Sequence, residues 1–331
     1  MAHGLDMSNE RANMAFIGET PWHGLGHELT EGASIEQWQE AAGMNWELKR
    51  TPALYYAPDL NSFKAVDGRQ VLTRSDTHAA LSIVSDNYKL VQPKEVLEFY
   101  RDIVDAAGFK LNTAGCLKGG RKYWALAEIG QEARIMDKDE MKGYLLLATS
   151  CDGSLATSAM FTSVRVVCNN TLGFAITAEE KAPVKGVKVT HNSNFDATLV
   201  KAQLGIAANS WDAFIDRSRA LAERKVSHGE TVNFLATLLN VEMPEEEEID
   251  IEHVDARTMK VIYDLFKGAG KGSGYASADG TAWGLVNAVT EFADHHQRAR
   301  SVDNRLDSSW FGSGAVLKDK AWDAALQLIA A

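Results

Sequence analysis

Cysteine is scarce in this chain, with Cys116, Cys151 and Cys168 the only three in 331 residues. They are odd in number, widely spaced and free of any Cys-x-x-Cys pair, which argues against a disulfide framework and against a cysteine zinc site. Buried thiols are the plain reading. Long apolar runs are missing too. No segment approaches the roughly 20 apolar residues of a membrane-spanning helix, and the opening MAHGLDMSNERANM lacks the apolar core of a secretory signal. The expected setting is cytoplasmic, with no membrane partner. Positive charge is in deficit: 34 Lys and Arg against 45 Asp and Glu give a formal net charge of -11. That balance argues against a protein that coats nucleic acid by bulk charge.

The deficit is uneven. Glu245 to Glu248 with Asp250 and Glu252 form a concentrated acidic block. Phe109 to Ala127, by contrast, carries Lys110, Lys118, Arg121 and Lys122 with no acid, and Lys181 to Asn194 carries Lys181, Lys185, Lys188 and His191 with none. A local basic face is compatible with the acidic total.

What is present suffices for folding: 45% hydrophobic residues can build one large core or two modest ones. Residues 1–13 read as a loose leader. FIGETPWHGLG at 16–26 combines three glycines and a proline, so it reads as a loop pinned by Trp22. Ser34 with Gln37 makes a capping box, and Ile35, Trp38 and Ala42 mark one face of a short helix. Trp46 to Arg74 reads as a strand meander broken at Pro58-Asp59 and at Asp67-Gly68. Ala79 to Val84 is ambiguous and admits a helical turn. Pro93 to Ala107 has helical spacing at Val96, Leu97, Tyr100, Ile103, Val104 and Ala107, with Pro93 suited to the first turn and Gly108 to the stop. Lys110 to Leu117 and Lys122 to Ile129 flank Lys118-Gly119-Gly120-Arg121, a hairpin with a basic turn.

The stretch from Tyr144 to Thr177 is the densest in local rules. Two β-prone runs, Tyr144 to Thr149 and Ser154 to Thr162, surround Ser150-Cys151-Asp152-Gly153, where Asp-Gly supplies a turn with positive φ. Beyond it Val164, Val167, Cys168, Thr171, Leu172 and Ala175 recur at three and four residues, which predicts a helix over 164–176. After Asn194 nearly everything reads as helix: 197–225, 229–240, 253–266, 281–298 and 317–330. Flexible breaks are expected near 243–252 and 268–280. The predicted fold class is α+β: antiparallel hairpins with packed helices over 14–193, then a helical region over 194–331.

Each candidate site has a plain alternative. Gly268 to Gly274 resembles a phosphate loop, but it lacks the required spacing and follows a helix instead of a strand, so a connection is the simpler reading. Asp294-His295-His296 supplies metal-ligand types, yet adjacent histidines on a helix diverge by about 100 degrees. Cys151 beside Asp152 lacks a base that sequence can place, and a turn aspartate explains Asp152. Arg165, Asn169 and Asn170 suit either a cap or contact with phosphate and base. Lys118, Arg121, Lys122, Tyr123 and Trp124 mix cations with aromatics as single-strand binders do; the alternative is an exposed turn with Trp124 in the core.

Four phrases together, FIGETPWHGLG at 16–26, DGSLATSAMFTSVRVVCNNTL at 152–172, TAWGLVNAVTEFADHH at 281–296 and DNRLDSSWFGSG at 303–314, resemble the phage/plasmid-like family. That family is a domain of unknown function seen in phages, prophages and plasmids. The resemblance spans nearly the whole chain and implies a mobile-element setting in a bacterial host, where accessory proteins often handle DNA. It brings no established activity and therefore no catalytic residues. Hairpins leading into a helix also look like the β-β-β-α core of phage single-strand annealing proteins, a likeness of element order.

The leading expectation is single-stranded DNA binding, with strand annealing, in phage or plasmid recombination or replication. Lys118, Arg121, Lys122 and Arg165 would neutralise phosphate, Trp124 or Tyr123 would stack a base, and Asn169 or Asn170 would bond sugar or base edges. No cofactor is required, and a homo-oligomer is the expected assembly. Two alternatives stay open. One is a metal-dependent enzyme acting on nucleic acid or nucleotide, with Asp152, His191, Asp294 and His295 around the metal. The other is a non-enzymatic protein that binds a host factor through its helical region and acidic block.

Overall fold

The structure, a computed structural model, describes residues 7–8, 11–18, 26–107, 109–136, 138–165, 170–173, 186–189, 208–242, 256–299 and 302–330. Its strands are β1 (Met7–Ser8), β2 (Arg11–Ala12), β3 (Met14–Phe16), β4 (His27–Glu28), β5 (Leu48–Ala57), β6 (Ser62–Arg74), β7 (Ala80–Ser85), β8 (Lys110–Leu117), β9 (Lys122–Arg134), β10 (Glu140–Ser150), β11 (Thr157–Arg165), β12 (Asn170–Gly173) and β13 (Gly186–Val189). Its helices are α1 (Ile35–Ala41), α2 (Pro93–Ala107), α3 (Ala208–Glu223), α4 (His228–Leu239), α5 (Arg257–Asp264), α6 (Ala282–Glu291), α7 (Val302–Phe311) and α8 (Ser313–Ala330). The architecture is α+β, with antiparallel hairpins first and helices last. Among the described residues no helix is long and apolar enough to cross a membrane.

The chain folds as two compact units: residues 1–130, 144–161 and 184–205 form the first, and 131–143, 162–183 and 206–331 the second. This interleaving differs from a single cut near residue 194. Its cause is strand length: β9, β10 and β11 are 13, 11 and 9 residues long, and each has its end in the second unit. The main sheet has the order β12-β11-β10-β9-β8-β3-β4, with β13 also pairing β11.

In the first unit α1 carries the predicted capping box: the Ser34 hydroxyl accepts from Gln37 N–H and the Gln37 side chain accepts from Ser34 N–H. Trp38 is its buried anchor. Helix α2 buries Val96, Leu97, Phe99 and Tyr100, and the Tyr100 hydroxyl reaches the carbonyls of Ala125 at 3.0 Å and Leu145 at 2.9 Å. One tyrosine thereby ties the helix to two sheet strands while its ring fills the core. The turn between β8 and β9 needs Gly120 at φ 91, because a side chain there would meet Arg74 and Trp46 at 2.9 Å.

A second sheet has the order β5-β6-β7. Pro58-Asp59 lies in the turn that ends β5, as the sequence predicts. Asp67-Gly68 does not end a strand. The register jumps from Pro52↔Gln70 to Leu54↔Ala65, so these residues form a bulge within β6, with Gly68 at φ 68. Residues 80–85, where a helical turn was admissible, pair with β6 as a strand.

The helix predicted over 164–176 does not form where it is described. Thr157 to Arg165 is strand, Asn170 to Gly173 is strand, and the two pair antiparallel from Thr162↔Gly173 to Arg165↔Asn170. Val164 and Thr171 are β-branched and fit a pleated surface better than a helix. Burial also alternates toward the end of β11, so the period of two overrides the apparent period of 3.6.

In the second unit α6 is the centre, buried at every one of its ten positions. Thr281 caps it, its hydroxyl accepting from Gly284 N–H at 3.0 Å. Gly284 sits where a Cβ would lie 1.9 Å from the Ala278 carbonyl oxygen, so backbone packs on backbone at that point. Around α6, Trp211, Phe214, Trp322 and Trp283 form a chain of rings, with Phe214 stacked on Trp322 at 5.1 Å. Helix α7 is an element that periodicity did not signal.

Candidate nucleic-acid interface

The residues expected to hold DNA fall into different surroundings. Lys118 is half-buried in the β8–β9 turn with φ 54. Arg121 is exposed and donates from Nε to the Leu81 carbonyl at 3.0 Å. Lys122, Tyr123 and Trp124 are buried, and burial also holds the Tyr123 phenol well above its usual range. As placed, neither aromatic presents a ring face for a base. Their neighbours explain why: β9 lies between two strands, and Tyr123 packs edge-on to Trp46 at 6.1 Å. Arg165 belongs to the second unit and is 1% exposed. Asn170 pairs with Arg165 in the β11–β12 register, and Asn169 lies outside the described residues. The turn cations belong to the first unit and Arg165 to the second.

The first unit instead exposes aromatic surface on its β5–β6 ribbon. Leu54, Tyr55, Tyr56, Leu60, Phe63 and Val66 are 59%, 53%, 49%, 63%, 70% and 40% exposed. Directly opposed residues share a face in an antiparallel pair. Tyr56 faces Phe63, ring to ring at 5.4 Å, beside the Leu54–Ala65 pair, and Tyr55 shares the other face with Lys64. β7 pairs only with Arg69 to Thr73 and leaves the ribbon end two-stranded, and the exposed residues there lie on both of its faces. Leu48 to Arg74 contains Lys49, Arg50, Lys64, Arg69 and Arg74 against only Asp59 and Asp67. Lys49, Lys64 and Arg69 are exposed. Arg50 donates to the backbone carbonyls of Asp86 and Tyr88, and Arg74 is buried against Asp76. The sequence did hold a signal for this ribbon: LYYA and FKAV place apolar residues on both parities of a strand, where a strand with one buried face would alternate.

The second unit turns its ionisable residues inward. Asp139 is fully buried and accepts from Arg165 Nε at 2.6 Å, Arg165 Nη2 at 2.9 Å, Ser277 at 2.6 Å and Trp283 Nε1 at 2.9 Å. Arg165 also donates to the carbonyls of Lys271 and Gly272. The glycine-rich segment expected as a flexible break is thus bonded at several points. Glu291 adds another tie by accepting the Lys271 N–H at 2.9 Å, and burial raises its pKa.

Asp294, offered above as a metal ligand, is occupied within this unit. It accepts from Thr171 N–H at 2.7 Å, Lys318 Nζ at 2.7 Å and the Ser309 hydroxyl. His191 lies outside the described residues. Among the described residues no three His, Cys, Asp or Glu side chains gather as a metal site would need. Burial, with the Asp152 charge adding, pushes the Cys151 thiol up to about 12, so it is not ionised at neutral pH. Asp152 accepts from Ser154 N–H at 2.9 Å, the turn role read from sequence.

These features define a class, an α+β protein with an exposed aromatic ribbon and an ion-paired helical core. The chain belongs to the family described as Domain of unknown function (DUF932), matched over residues 80–310. No curated protein and no solved structure matches it. Strands β5 and β6 precede the matched span, and β7 opens it.

Proposed function

We propose that the protein binds single-stranded DNA through the β5–β6 ribbon, in phage or plasmid recombination or replication. The observation that carries the reading is the exposure of Tyr55, Tyr56 and Phe63 at about half or more of their surface beside exposed Lys64. Bases stack on such rings without regard to sequence, while cations follow the phosphates. The ribbon's charge supports it further, since cations outnumber acids there in a chain that is acidic overall. Two aromatic faces on one ribbon suit a protein that holds strands extended for annealing.

Fluorescence anisotropy of a labelled oligonucleotide tests the proposal. Binding at low salt should weaken as salt rises, and changing Tyr55, Tyr56 and Phe63 together to Ala should lower affinity by about tenfold or more for each base that stacks. Lys64→Glu should flatten the salt dependence by about 0.7 in log-log slope. No binding at low salt, or an unchanged affinity in the triple variant, rejects it. If the triple variant instead loses self-association on light scattering while keeping DNA affinity, the ribbon is a contact between copies of the chain.

A further inference from the structure

In the second unit an open cleft of about 290 Å³ is lined by Ala293, Gln297, Arg298, Ala299, Asn304, Arg305, Ser308 and Ser313. Among the described residues two guanidinium groups and no carboxylate line it, in a chain with eleven more acids than bases. Asp294, next to Ala293, is turned into its pair with Lys318. Arg298 is exposed and makes no hydrogen bond or ion pair among the described residues. Arg305 donates one Nη1 hydrogen to the His295 carbonyl, which anchors the group. Its remaining N–H groups have no partner among the described residues.

Two hydroxyls stand side by side in the cleft. Gly314 N–H donates to Ser308 Oγ at 3.2 Å, and Ser308 and Ser313 share a bond at 3.1 Å. Either hydroxyl can donate in that bond, and an anion that accepts from Ser313 selects the arrangement in which Ser308 donates to Ser313. On the same cleft, Gln297 Oε1 is buried and lacks a hydrogen-bond partner among the described residues, a state that costs stability unless a donor arrives.

We propose that this cleft binds a sugar phosphate. Arg298, Arg305 and Ser313 take the phosphate oxygens, because the guanidinium fork matches phosphate geometry. Gln297 is only half-buried as a residue, and a turn of its side chain brings Oε1 into the cleft to accept from a sugar hydroxyl. The volume lies at the lower bound of small-molecule sites, roughly 300 Å³, which suits one phosphorylated sugar. The phosphate is either free, on a sugar or mononucleotide, or the 5′ end of a nucleic acid. The site is separate from the ribbon and does not rest on the DNA-binding reading.

Calorimetric titration of the full chain tests it with ribose 5-phosphate, inorganic phosphate, and one oligonucleotide prepared with a 5′-phosphate and with a 5′-hydroxyl. Ribose 5-phosphate should bind saturably and more tightly than inorganic phosphate. Arg298→Ala, at an exposed position, should weaken both by about tenfold with an unchanged melting curve. Ser313→Ala should weaken both to a smaller degree. Gln297→Met should erase the preference for the sugar while keeping phosphate. A preference for the 5′-phosphorylated oligonucleotide that survives the ribbon substitutions assigns the site to strand ends; no such preference assigns it to free sugar phosphates. Absence of saturable binding by ribose 5-phosphate, or affinities untouched by both Arg298→Ala and Ser313→Ala, overturns the proposal.

Discussion

The ribbon of the first unit and the polar centre of the second depart from ordinary burial in opposite directions. Leu54, Tyr56 and Phe63 hold apolar surface in water, where a strand gains nothing from it alone. Asp139, Arg165, Asp294 and Lys318 hold charge away from water, where each would be costly without its partner. The first arrangement leaves surface available to something outside the chain. The second consumes its bonding capacity internally: both Asp139 oxygens accept hydrogen bonds, and Asp294 is held by three side chains and a backbone N–H. Polarity by itself therefore misleads here, because the most charged cluster is structural and the most apolar exposed strands are the candidate interface.

The contrast can be broken by substitution. Asp139→Ala leaves Arg165 buried without its carboxylate and should lower stability by about 3–5 kcal/mol, read from chemical denaturation; a loss under about 1 kcal/mol would mean that water reaches the pair. A smaller effect comes from an ion pair at the surface of the same unit. The Arg224 guanidinium and the Ser227 N–H hold the Glu230 carboxyl down at about 2, from an ordinary 4.5. A depressed carboxylate pKa gives stability that is present above about 4.5 and lost as pH falls toward 2. Because the group is largely solvated, the difference between wild type and Glu230→Gln across that window should stay at about 1 kcal/mol or less. Smallest of all, Phe63→Ser on the ribbon should change stability by no more than about 0.5 kcal/mol. A larger loss would show that the ribbon is packed, on its own chain or on another copy.

What was legible in the sequence was local. The Ser34–Gln37 capping box, the Asp152-Gly153 turn and the Lys118-Gly119-Gly120-Arg121 hairpin each depend on residues within a few positions, and each forms. The β-prone run ending at Thr162 lies in β11 as expected, but its last residues and its partner at 170–173 carry helical spacing at Val164, Thr171 and Leu172, and there β-branching and pairing decide the outcome. Asp139 and Arg165 lie 26 residues apart and Asp139 and Trp283 lie 144 apart, so no window of sequence shows that these three meet. Lys122-Tyr123-Trp124 read as a binding cluster by residue type, whereas the apolar residues that follow, through Ala127, mark a strand buried on both faces.

The Lys318–Asp294 pair has a practical consequence for anyone trimming this chain to the span that matches its family. A fragment ending at residue 310 retains the carboxylate and discards α8, which supplies its ammonium partner, and Trp322 departs from beside Trp283 with it. What remains is an acid stranded beneath a stripped hydrophobic wall, so the boundary of sequence similarity falls inside the folding unit.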